Sequence, residues 1–228
     1  MEIKLAKVKK LYKKNRGIKN ISLTLGNGEI VALVGANGAG KSTLIKILTK
    51  QIRPSEGKIF GQEYEIRYMP DDLAFPDTLT ATEILQLLGN LKKVDKQKQQ
   101  EALKAVGLYE ARKLKVGQFS KGMRQRLNLA QSMLGEGPFY ILDEPTNGLD
   151  PYWIAKLKKY LIEEKKRQQI VLFSTHLLSL AEEIADRVIL LHEGEVLASG
   201  TVSELLEKEQ CMSLEQLWLK LTGKELLI

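Results

Sequence analysis

Hydrophobic and polar residues alternate in two segments near the start of the chain, Leu5–Val8 and Ile21–Leu25. A period of two is typical of strands that bury one face. The segment EIVALVG, residues 29–35, instead has one short apolar run, as in a strand that is buried on both faces. The pattern from Thr43 to Lys50 has helical spacing. These segments predict two half-buried strands, one fully buried strand and a helix.

Helical spacing dominates from Thr80 to about Leu134, and strand-like runs return at FYILD, QIVLFS and RVILLHEGEVLASG. Strands that alternate with helices are typical of an α/β protein. Pro54 and Gly57 indicate a turn between the earlier elements. No internal repeat or low-complexity linker interrupts the sequence. We therefore expect the helical stretch to be an insertion into one α/β core rather than a separate domain.

Composition limits the classes of protein to consider. The chain has 228 residues, of which 43% are hydrophobic and 28% charged, as in an ordinary globular protein. Its apolar runs are shorter than the roughly 18 residues that a membrane span needs, and its first residues lack the apolar stretch of a signal peptide. A single cysteine, Cys211, excludes an intramolecular disulfide framework and a cysteine-based zinc cluster. We therefore expect a cytoplasmic protein.

The net charge is +7, and many of the lysines precede residue 20. Such a charge is compatible with binding to nucleic acid, with attraction to an anionic membrane surface, or with lysines that only solvate strand faces. The sequence leaves these three interpretations open.

The strongest chemical motif is GANGAGKS, residues 35–42, which matches G-x-x-x-x-G-K-S/T between a predicted strand and a predicted helix. Its glycines allow backbone N–H groups to turn inward around phosphate oxygens. Lys41 then reaches the β- and γ-phosphates, and Ser42 places its hydroxyl on Mg²⁺. The motif predicts a nucleotide-binding loop made of Gly35, Ala36, Asn37, Gly38, Ala39, Gly40, Lys41, Ser42 and Thr43.

An acidic pair, Asp143 and Glu144, follows the apolar run FYIL. A buried strand that ends in an acid is costly unless the acid meets a cation. We therefore expect Asp143 to hold Mg²⁺, commonly through water. Glu144 is one residue further along, and it is the candidate general base that polarises the attacking water.

A third motif, FSKGMRQRL, places a good N-cap residue, Ser120, and a glycine, Gly122, before a helical run. A helix N-terminus with a free hydroxyl and a glycine binds anions well. The residues alone do not say which anion binds there.

Taken together, GANGAGKST, FSKGMRQRL, FYILDEPTNGLDP and STH resemble the motifs of the ATP-binding cassette (ABC) family, in that family's order and spacing. The resemblance covers nearly the whole chain. It implies a P-loop NTPase (RecA-like) α/β core with an antiparallel β subdomain and an inserted α-helical subdomain. We expect a single domain, residues 1–228, with a core at about 1–76 and 137–200, a helical subdomain at about 77–136 and a C-terminal helical tail at about 201–228.

The resemblance implies an ATPase with ATP and Mg²⁺ as cofactors, in which two cassettes meet head to tail and enclose two ATP molecules. The anion at the third motif would then be the γ-phosphate of an ATP bound to the other cassette. The residues expected to contact ATP in this way, across the dimer, are Ser120, Lys121, Gly122 and Asp150.

The resemblance also suggests roles for single residues. Tyr12 stands where the family has an aromatic ring that stacks on adenine, although it is alternatively a half-exposed strand residue. His176 would contact the γ-phosphate and act in catalysis with Lys41 and Glu144. The loop from Asn147 to Asp150 would run along the dimer interface. His192 receives no role.

The sequence departs from the family pattern at two places. The usual Leu-Ser-Gly-Gly-Gln signature is replaced by FSKGM, residues 119–123, which keeps Ser120 and Gly122. The Lys121 pattern resembles that of exporter-type cassettes. In addition, Asp71 occupies the position of a metal-binding glutamine. Aspartate is shorter than glutamine and charged, but it can still approach Mg²⁺, and we count Asp71 as a candidate metal ligand together with Ser42 and Asp143.

The tail SLEQLWLKLTG resembles the end of single-cassette exporter subunits. We therefore expect an ATPase subunit at the cytoplasmic face of the cell membrane, working with a separate transmembrane permease and a second, identical or similar cassette. Residues 72–85 are the expected docking surface, although Leu73 and Phe75 alternatively cover the subdomain core. The alternative function is a non-transport ABC ATPase that acts on nucleic acid or the ribosome. We do not expect nucleic acid as a partner. The cassettes of translation factors usually come as two in one chain, and those of DNA-repair proteins carry a long coiled-coil insertion, whereas this sequence has neither feature.

Overall fold

The computed structural model describes residues 2–13, 16–61, 63 and 65–223. Its strands are β1 (Glu2–Leu11), β2 (Gly17–Gly26), β3 (Ile30–Val34), β4 (Glu56–Phe60), β5 (Ile66–Met69), β6 (Phe139–Leu142), β7 (Ile170–Thr175), β8 (Arg187–His192) and β9 (Glu195–Gly200). Its α-helices are α1 (Lys41–Leu48), α2 (Ala81–Leu91), α3 (Lys96–Ala105), α4 (Lys121–Met133), α5 (Pro151–Lys166), α6 (Leu178–Ile184), α7 (Val202–Glu209) and α8 (Leu214–Thr222). These elements form two compact units, one within residues 1–64 and 160–228 and the other within residues 65–159.

The first unit contains a sheet in which β3 lies between β7 and β8, parallel to both, and β9 is antiparallel to β8. All five β3 residues are at most 2% exposed, as the continuous apolar run predicts. Val34 at the end of β3 pairs with Thr175 of β7 and with Leu190 of β8. β3 and β7 therefore end at the same level of one sheet edge, and the loops that follow them leave from that edge, while β8 continues two residues further to His192.

A smaller antiparallel sheet, with β1 between β2 and β4, also belongs to the first unit. The prediction that β1 and β2 are half-buried strands is confirmed. In β1, Ile3, Leu5 and Val8 are buried while Lys4 and Lys7 are exposed, and in β2 the apolar ends of the predicted segment, Ile21 and Leu25, are buried while Ser22 is exposed. The turn predicted at Gly57 is wrong, because Gly57 lies in β4.

The physical reason lies across the sheet from Gly57. Lys7 has a positive φ of 49° and stands at a register shift of the β1–β4 pair. A Cβ on Gly57, whose own φ is +85°, would overlap with the Lys7 carbonyl oxygen. This glycine therefore permits a close approach at a β-bulge, which sequence reasoning mistook for a turn.

The second unit contains the parallel pair β5–β6 and the helices α2, α3 and α4. The helical pattern predicted from Thr80 to Leu134 is thus confirmed. Thr80 begins α2 with a capping box, in which its hydroxyl accepts from the Glu83 N–H and the Glu83 carboxylate accepts from the Thr80 N–H. The bond from the Thr80 N–H, together with one that the Thr80 hydroxyl donates to the same carboxylate, lowers the pKa of Glu83. The helix buries Ala81, Ile84 and Leu85 on one face.

Helices α7 and α8 form the end of the described chain, within the first unit. Ser213 caps α8 by accepting a hydrogen bond from the Gln216 N–H, and the Leu214 N–H donates to a carboxylate oxygen of Glu182. Leu214 and Leu217 are completely buried. This anchoring fixes α8 on the first unit. None of the described helices combines the length and apolar character needed to cross a membrane.

Candidate nucleotide-binding site

The loop between β3 and α1 carries the predicted phosphate-binding motif. Lys41 is only 6% exposed, and its Nζ donates a hydrogen bond of 2.6 Å to the carbonyl oxygen of Gly35. Gly40 is the N-cap of α1, with a left-handed φ of 109°, and it supplies no side-chain cap. The first N–H groups of α1 therefore face the loop without a capping side chain from that residue.

The shape of this loop fits a polyphosphate. Ala36, Asn37 and Gly38 are exposed, and no atom lies within 4 Å of the position that a Cβ on Gly38 would take. The hydroxyl-bearing Ser42 is exposed on the first turn of α1, and Thr43 follows it. An open loop, a lysine held at its base and a helix N-terminus are the features that bind phosphate oxygens.

His176 follows β7 directly, as Gly35 follows β3. Because Thr175 and Val34 are paired, the two loops start side by side at the same sheet edge. His176 is exposed, and the next residue is fixed by a 3.0 Å hydrogen bond from the Leu177 N–H to the Thr175 hydroxyl. The structure therefore brings His176 and the start of the phosphate-binding loop together.

Tyr12 lies just after β1, and its backbone N–H donates to the carbonyl oxygen of Arg16 at 2.7 Å. It is 46% exposed, and Lys10 Nζ lies 6.0 Å from the centre of its ring. An exposed ring is available for stacking on adenine. The same exposure is expected if Tyr12 is only a half-exposed residue near the end of a strand. Its adenine contact stays a prediction.

The acidic pair lies at the end of β6, in the second unit. Asp143 and Glu144 are only 5% and 7% exposed, and the Asp143 N–H donates to the Met69 carbonyl oxygen at 2.8 Å. Glu144 has a left-handed φ of 45°, which is strained for a residue with a side chain. Its carbonyl oxygen accepts from the Gln125 side-chain amide at 3.3 Å. Residues held in such conformations are concentrated at active sites.

Asp71 lies in the loop after β5 and is exposed. Its Oδ1 accepts a 2.7 Å hydrogen bond from the side-chain amide of Asn147, in the loop after β6. Sequence reasoning named both residues but missed this contact, since no local pattern connects positions so far apart. Asp71 is thus tied to the loop that the sequence assigned to the dimer interface.

The third motif begins α4 as predicted. Ser120 is the N-cap, and its hydroxyl accepts a 3.2 Å hydrogen bond from the Met123 N–H. Ser120 and Lys121 are exposed at the helix end. A Cβ on Gly122 would lie 2.8 Å from the carbonyl oxygen of Gly148, so the helix start packs closely on the loop from Asn147 to Asp150.

Asp150 ends that loop and starts α5, because its Oδ1 accepts a 2.9 Å hydrogen bond from the Trp153 N–H. Arg126 of α4 lies over the Trp153 ring, with its guanidinium carbon 4.3 Å from the ring centre. Burial lowers the pKa of Arg126, and the charge of Asp150 opposes that shift. The structure therefore brings together the α4 start, the loop and the α5 start within the second unit.

The expected docking region, residues 72–85, is less exposed than its sequence suggested. Phe75 is 9% exposed, and Ile84 and Leu85 are buried, so the alternative role as a core residue is confirmed for Phe75. Leu73 is only half-buried. The exposed apolar side chains lie further along α2, at Leu87 and Leu91, which are 56% and 74% exposed. Sequence reasoning missed these two residues, although their spacing of four predicts one helix face.

The defining sequence pattern of ABC transporters matches residues 18–147. The chain belongs to the ABC transporter family. YxlF of Bacillus subtilis, an uncharacterized ABC transporter ATP-binding protein, is 38% identical over 88% of this chain and 71% of its own length. EcsA of the same organism, an ABC-type transporter ATP-binding protein, is 36% identical over 94% of both chains. BcrA of Bacillus licheniformis, a bacitracin transport ATP-binding protein, is 35% identical over 86% of this chain and 68% of its own.

Solved structures agree with this assignment. The ATP-binding subunit of an ABC transporter superposes with a TM-score of 0.88 and 30% identity, over 97% of this chain and all of the other. A dimeric bacterial ABC transporter cassette, MJ0796, gives a TM-score of 0.78 and 26% identity, over 87% of this chain and 98% of its own. Some relatives are longer, and the chain spans 61% of those from Synechocystis and Nostoc.

The predicted fold class, a P-loop NTPase fold with a parallel-sheet core, is therefore confirmed. The chain is an ATP-binding subunit of an ABC transporter, and its activity is ATP hydrolysis coupled to transport. The division into a core, a helical subdomain and a tail, and the roles of individual site residues, stay predictions.

Proposed function

We propose that this ABC subunit binds Mg²⁺ with ATP and divides the work of hydrolysis among the residues described above. The phosphate-binding loop, residues 35–43, holds the phosphates, and Lys41 offsets the charge of the β- and γ-phosphates. Tyr12 stacks on the adenine, and His176 donates a hydrogen bond to the γ-phosphate. The exposed loop, the buried lysine and the paired ends of β3 and β7 support these roles.

The oxygen donors of Ser42 and Asp143 suit Mg²⁺, which prefers hydroxyl, carboxylate and water ligands. Ser42 is exposed on the first turn of α1, and Asp143 is a nearly buried carboxylate at the end of a strand. When bound, the ion neutralises charge that develops on the phosphate oxygens. Family membership supports the assignment of both residues to the same nucleotide.

Glu144 acts as the general base in this proposal. Its carboxylate accepts a proton from the water that attacks the γ-phosphate. The left-handed backbone and the hydrogen bond from Gln125 to the Glu144 carbonyl fix the start of this side chain. A base whose backbone is held in one conformation loses little entropy when it orients the water.

We further propose that the subunit works as one of two cassettes, each contacting the ATP of the other. The observation that carries this proposal is the exposed start of α4, where Ser120 and Lys121 face solvent beside the Gly148 loop. A helix N-terminus with a hydroxyl and a lysine attracts a phosphate. The dimeric neighbour described above supports a second cassette as its source.

A Ser120→Arg change tests this arrangement. In a Glu144→Gln background, where slow hydrolysis lets the closed state accumulate, we expect a dimer with ATP and a monomer without ATP. Adding Ser120→Arg should keep the protein monomeric with ATP, because the larger side chain occupies the space of the γ-phosphate. Size-exclusion chromatography with and without ATP measures the outcome.

Equilibrium binding of ATP to the monomer is the accompanying control, and it should be nearly unchanged by Ser120→Arg. The exposed residue Ser203 of α7 offers a matched Ser203→Arg variant, which should dimerise like its parent. A Ser120→Arg protein that still dimerises fully with ATP would show that the partner's phosphate does not bind at this helix.

We propose that the transporter is an exporter and that a separate transmembrane permease docks this subunit at the cytoplasmic face of the membrane. The tail that resembles exporter subunits supports this direction, and the relative named for bacitracin transport supports a role in transport. Leu87 and Leu91 extend the expected docking region along α2 as an exposed apolar strip. Co-purification of the permease with the subunit would test the assignment.

Asp71 is proposed to serve both as a metal ligand, through water, and as the hinge of the docking loop. Asp71→Asn removes the charge but keeps an oxygen that can accept from Asn147. We expect the Mg²⁺ concentration for half-maximal hydrolysis to rise about tenfold, the usual cost of losing an outer ligand. A Mg²⁺ titration of ATP hydrolysis measures the shift.

Asn147→Ala is the matched variant, because it removes the Asp71 hydrogen bond and keeps the carboxylate. It should leave the Mg²⁺ titration near that of the unmodified protein and alter stimulation by the permease. An unchanged titration curve for Asp71→Asn would remove the metal role and leave the hinge role.

A further inference from the structure

The tip of the β8–β9 hairpin contacts the phosphate-binding loop from outside. His192 pairs with Glu195, and the two turn residues between them, Glu193 and Gly194, have φ values of 44° and 82°. Two positive φ angles are typical of a tight type I′ hairpin. The Gly194 N–H donates to the Ala39 carbonyl oxygen at 2.9 Å, so the turn is bonded directly to the loop that holds phosphate.

Further contacts on both sides of this bond leave little freedom. The Lys19 N–H donates to the Gly194 carbonyl oxygen at 2.7 Å. A Cβ on Gly35 would overlap with the Leu191 carbonyl oxygen, and a Cβ on Gly40 would lie 2.6 Å from the Gly17 carbonyl oxygen. The loop backbone is therefore in van der Waals contact with β8 and with the start of β2. The conformation of the phosphate-binding loop therefore depends on the position of the β8–β9 hairpin.

The hairpin in turn is held by the C-terminal helices. The His192 ring meets the Trp218 ring of α8 edge to face, with centres 5.8 Å apart and planes at 85°. Helix α8 is itself anchored by the buried Leu214 and Leu217 and by the hydrogen bond from Leu214 to Glu182. Lys220 of α8 donates to the Glu209 carbonyl oxygen at 2.7 Å, which ties it to the end of α7.

We propose that Trp218 is a positioning residue for ATP binding, acting through His192 and the hairpin on the backbone of Ala39 and Gly40. The chain of contacts runs from α8 to the His192 ring, along the turn to Gly194, and by one hydrogen bond to Ala39. This inference rests on the proposed role of residues 35–43 in holding the phosphates. In this proposal, the C-terminal helices contribute to ATP binding as well as to the stability of the fold.

The expected effect is on nucleotide affinity. Without the indole ring, His192 and the turn lose their support, and the Gly194–Ala39 hydrogen bond is made in a smaller fraction of molecules. An edge-to-face aromatic pair is worth enough to change an equilibrium about threefold to tenfold. Trp218→Ala should therefore weaken ATP binding by about that factor, while kcat at saturating ATP changes much less.

The test measures the dissociation constant for ATP by equilibrium dialysis, together with KM and kcat, on the full chain. Trp218→Phe should restore near-normal affinity, because it keeps an aromatic edge or face for His192. His192→Ala should reproduce the loss, and His192→Phe should avoid it. The double variant Trp218→Ala with His192→Ala should be no weaker than either single variant, since both remove the same contact.

Met212→Ala is the matched control on the same tail, because that side chain is 92% exposed. It should bind ATP like the unmodified protein. Unchanged affinity in both Trp218→Ala and His192→Ala would overturn the inference, as would losses that add up in the double variant. Absence of ATP binding in the unmodified protein would instead overturn the proposed role of the phosphate-binding loop. If Trp218→Ala does not fold, the His192 variants, which change a half-buried residue at the end of β8, decide the question.

Discussion

Glu144→Gln should lower the rate of ATP hydrolysis by about 10²–10⁴-fold, the usual contribution of a general base, while ATP binding persists. Glutamine has the same shape, so burial and the left-handed backbone at this position are kept. What is lost is the ability to accept a proton from the attacking water. Phosphate release at saturating ATP and Mg²⁺ gives the rate, and equilibrium dialysis gives the affinity.

Glu207→Gln makes the same chemical change on an exposed position of α7 and should leave the rate unchanged. If Glu144→Gln hydrolysed ATP at the normal rate, Glu144 would not be the base, and another group or the phosphate itself would take the proton. The ATP-dependent dimer described above provides an independent check, because it should accumulate only when hydrolysis is slow.

Lys41→Ala should abolish measurable hydrolysis and weaken ATP binding by about 10- to 100-fold, as expected when hydrogen bonds to a charged group are lost. The Lys41 ammonium donates to the Gly35 carbonyl oxygen and is nearly buried at the phosphate-binding loop. It is therefore already placed where phosphate oxygens arrive. Lys46→Ala, on an exposed position of the same helix, is the matched control and should keep normal affinity.

Mixing two inactive variants gives a sharper test of the paired arrangement. A dimer of one Lys41→Ala subunit and one Ser120→Arg subunit contains one site with both defects and one site with neither. Hydrolysis should return in part in the mixture, measured against each variant alone, if one intact site suffices. If each subunit used only its own Ser120, both sites would stay defective and the mixture would remain inactive.

The sequence predicted the parts of this protein that depend on local chemistry. Apolar runs identified β3 and β7, alternation identified β1 and β2, and the cap at Ser120 followed from one residue type before a helical pattern. The phosphate-binding loop was predictable because its function is carried by consecutive residues whose spacing the backbone dictates.

Contacts between distant positions were not predictable in this way. The sequence alone placed Gly57 in a turn. Its actual role depends on the β-bulge at Lys7, which lies on another strand. The hydrogen bond between Asp71 and Asn147 joins residues 76 positions apart. Trp218 carried no signal at all, since an aromatic residue on an amphipathic helix is ordinarily a core residue and nothing nearby points to His192.

Because β3 and β7 are paired in parallel register, the position of His176 relative to Gly35 depends on the length of β7 more than on its composition. All six β7 residues are buried, and exchanges among residues such as Val171 and Leu172 should be tolerated if volume is kept. Side chains alternate between the two faces of a strand. Deleting one residue from β7 would therefore either turn His176 to the opposite face or pull it back from the level of Gly35. Over evolutionary time, this strand should vary in sequence but not accept insertions or deletions.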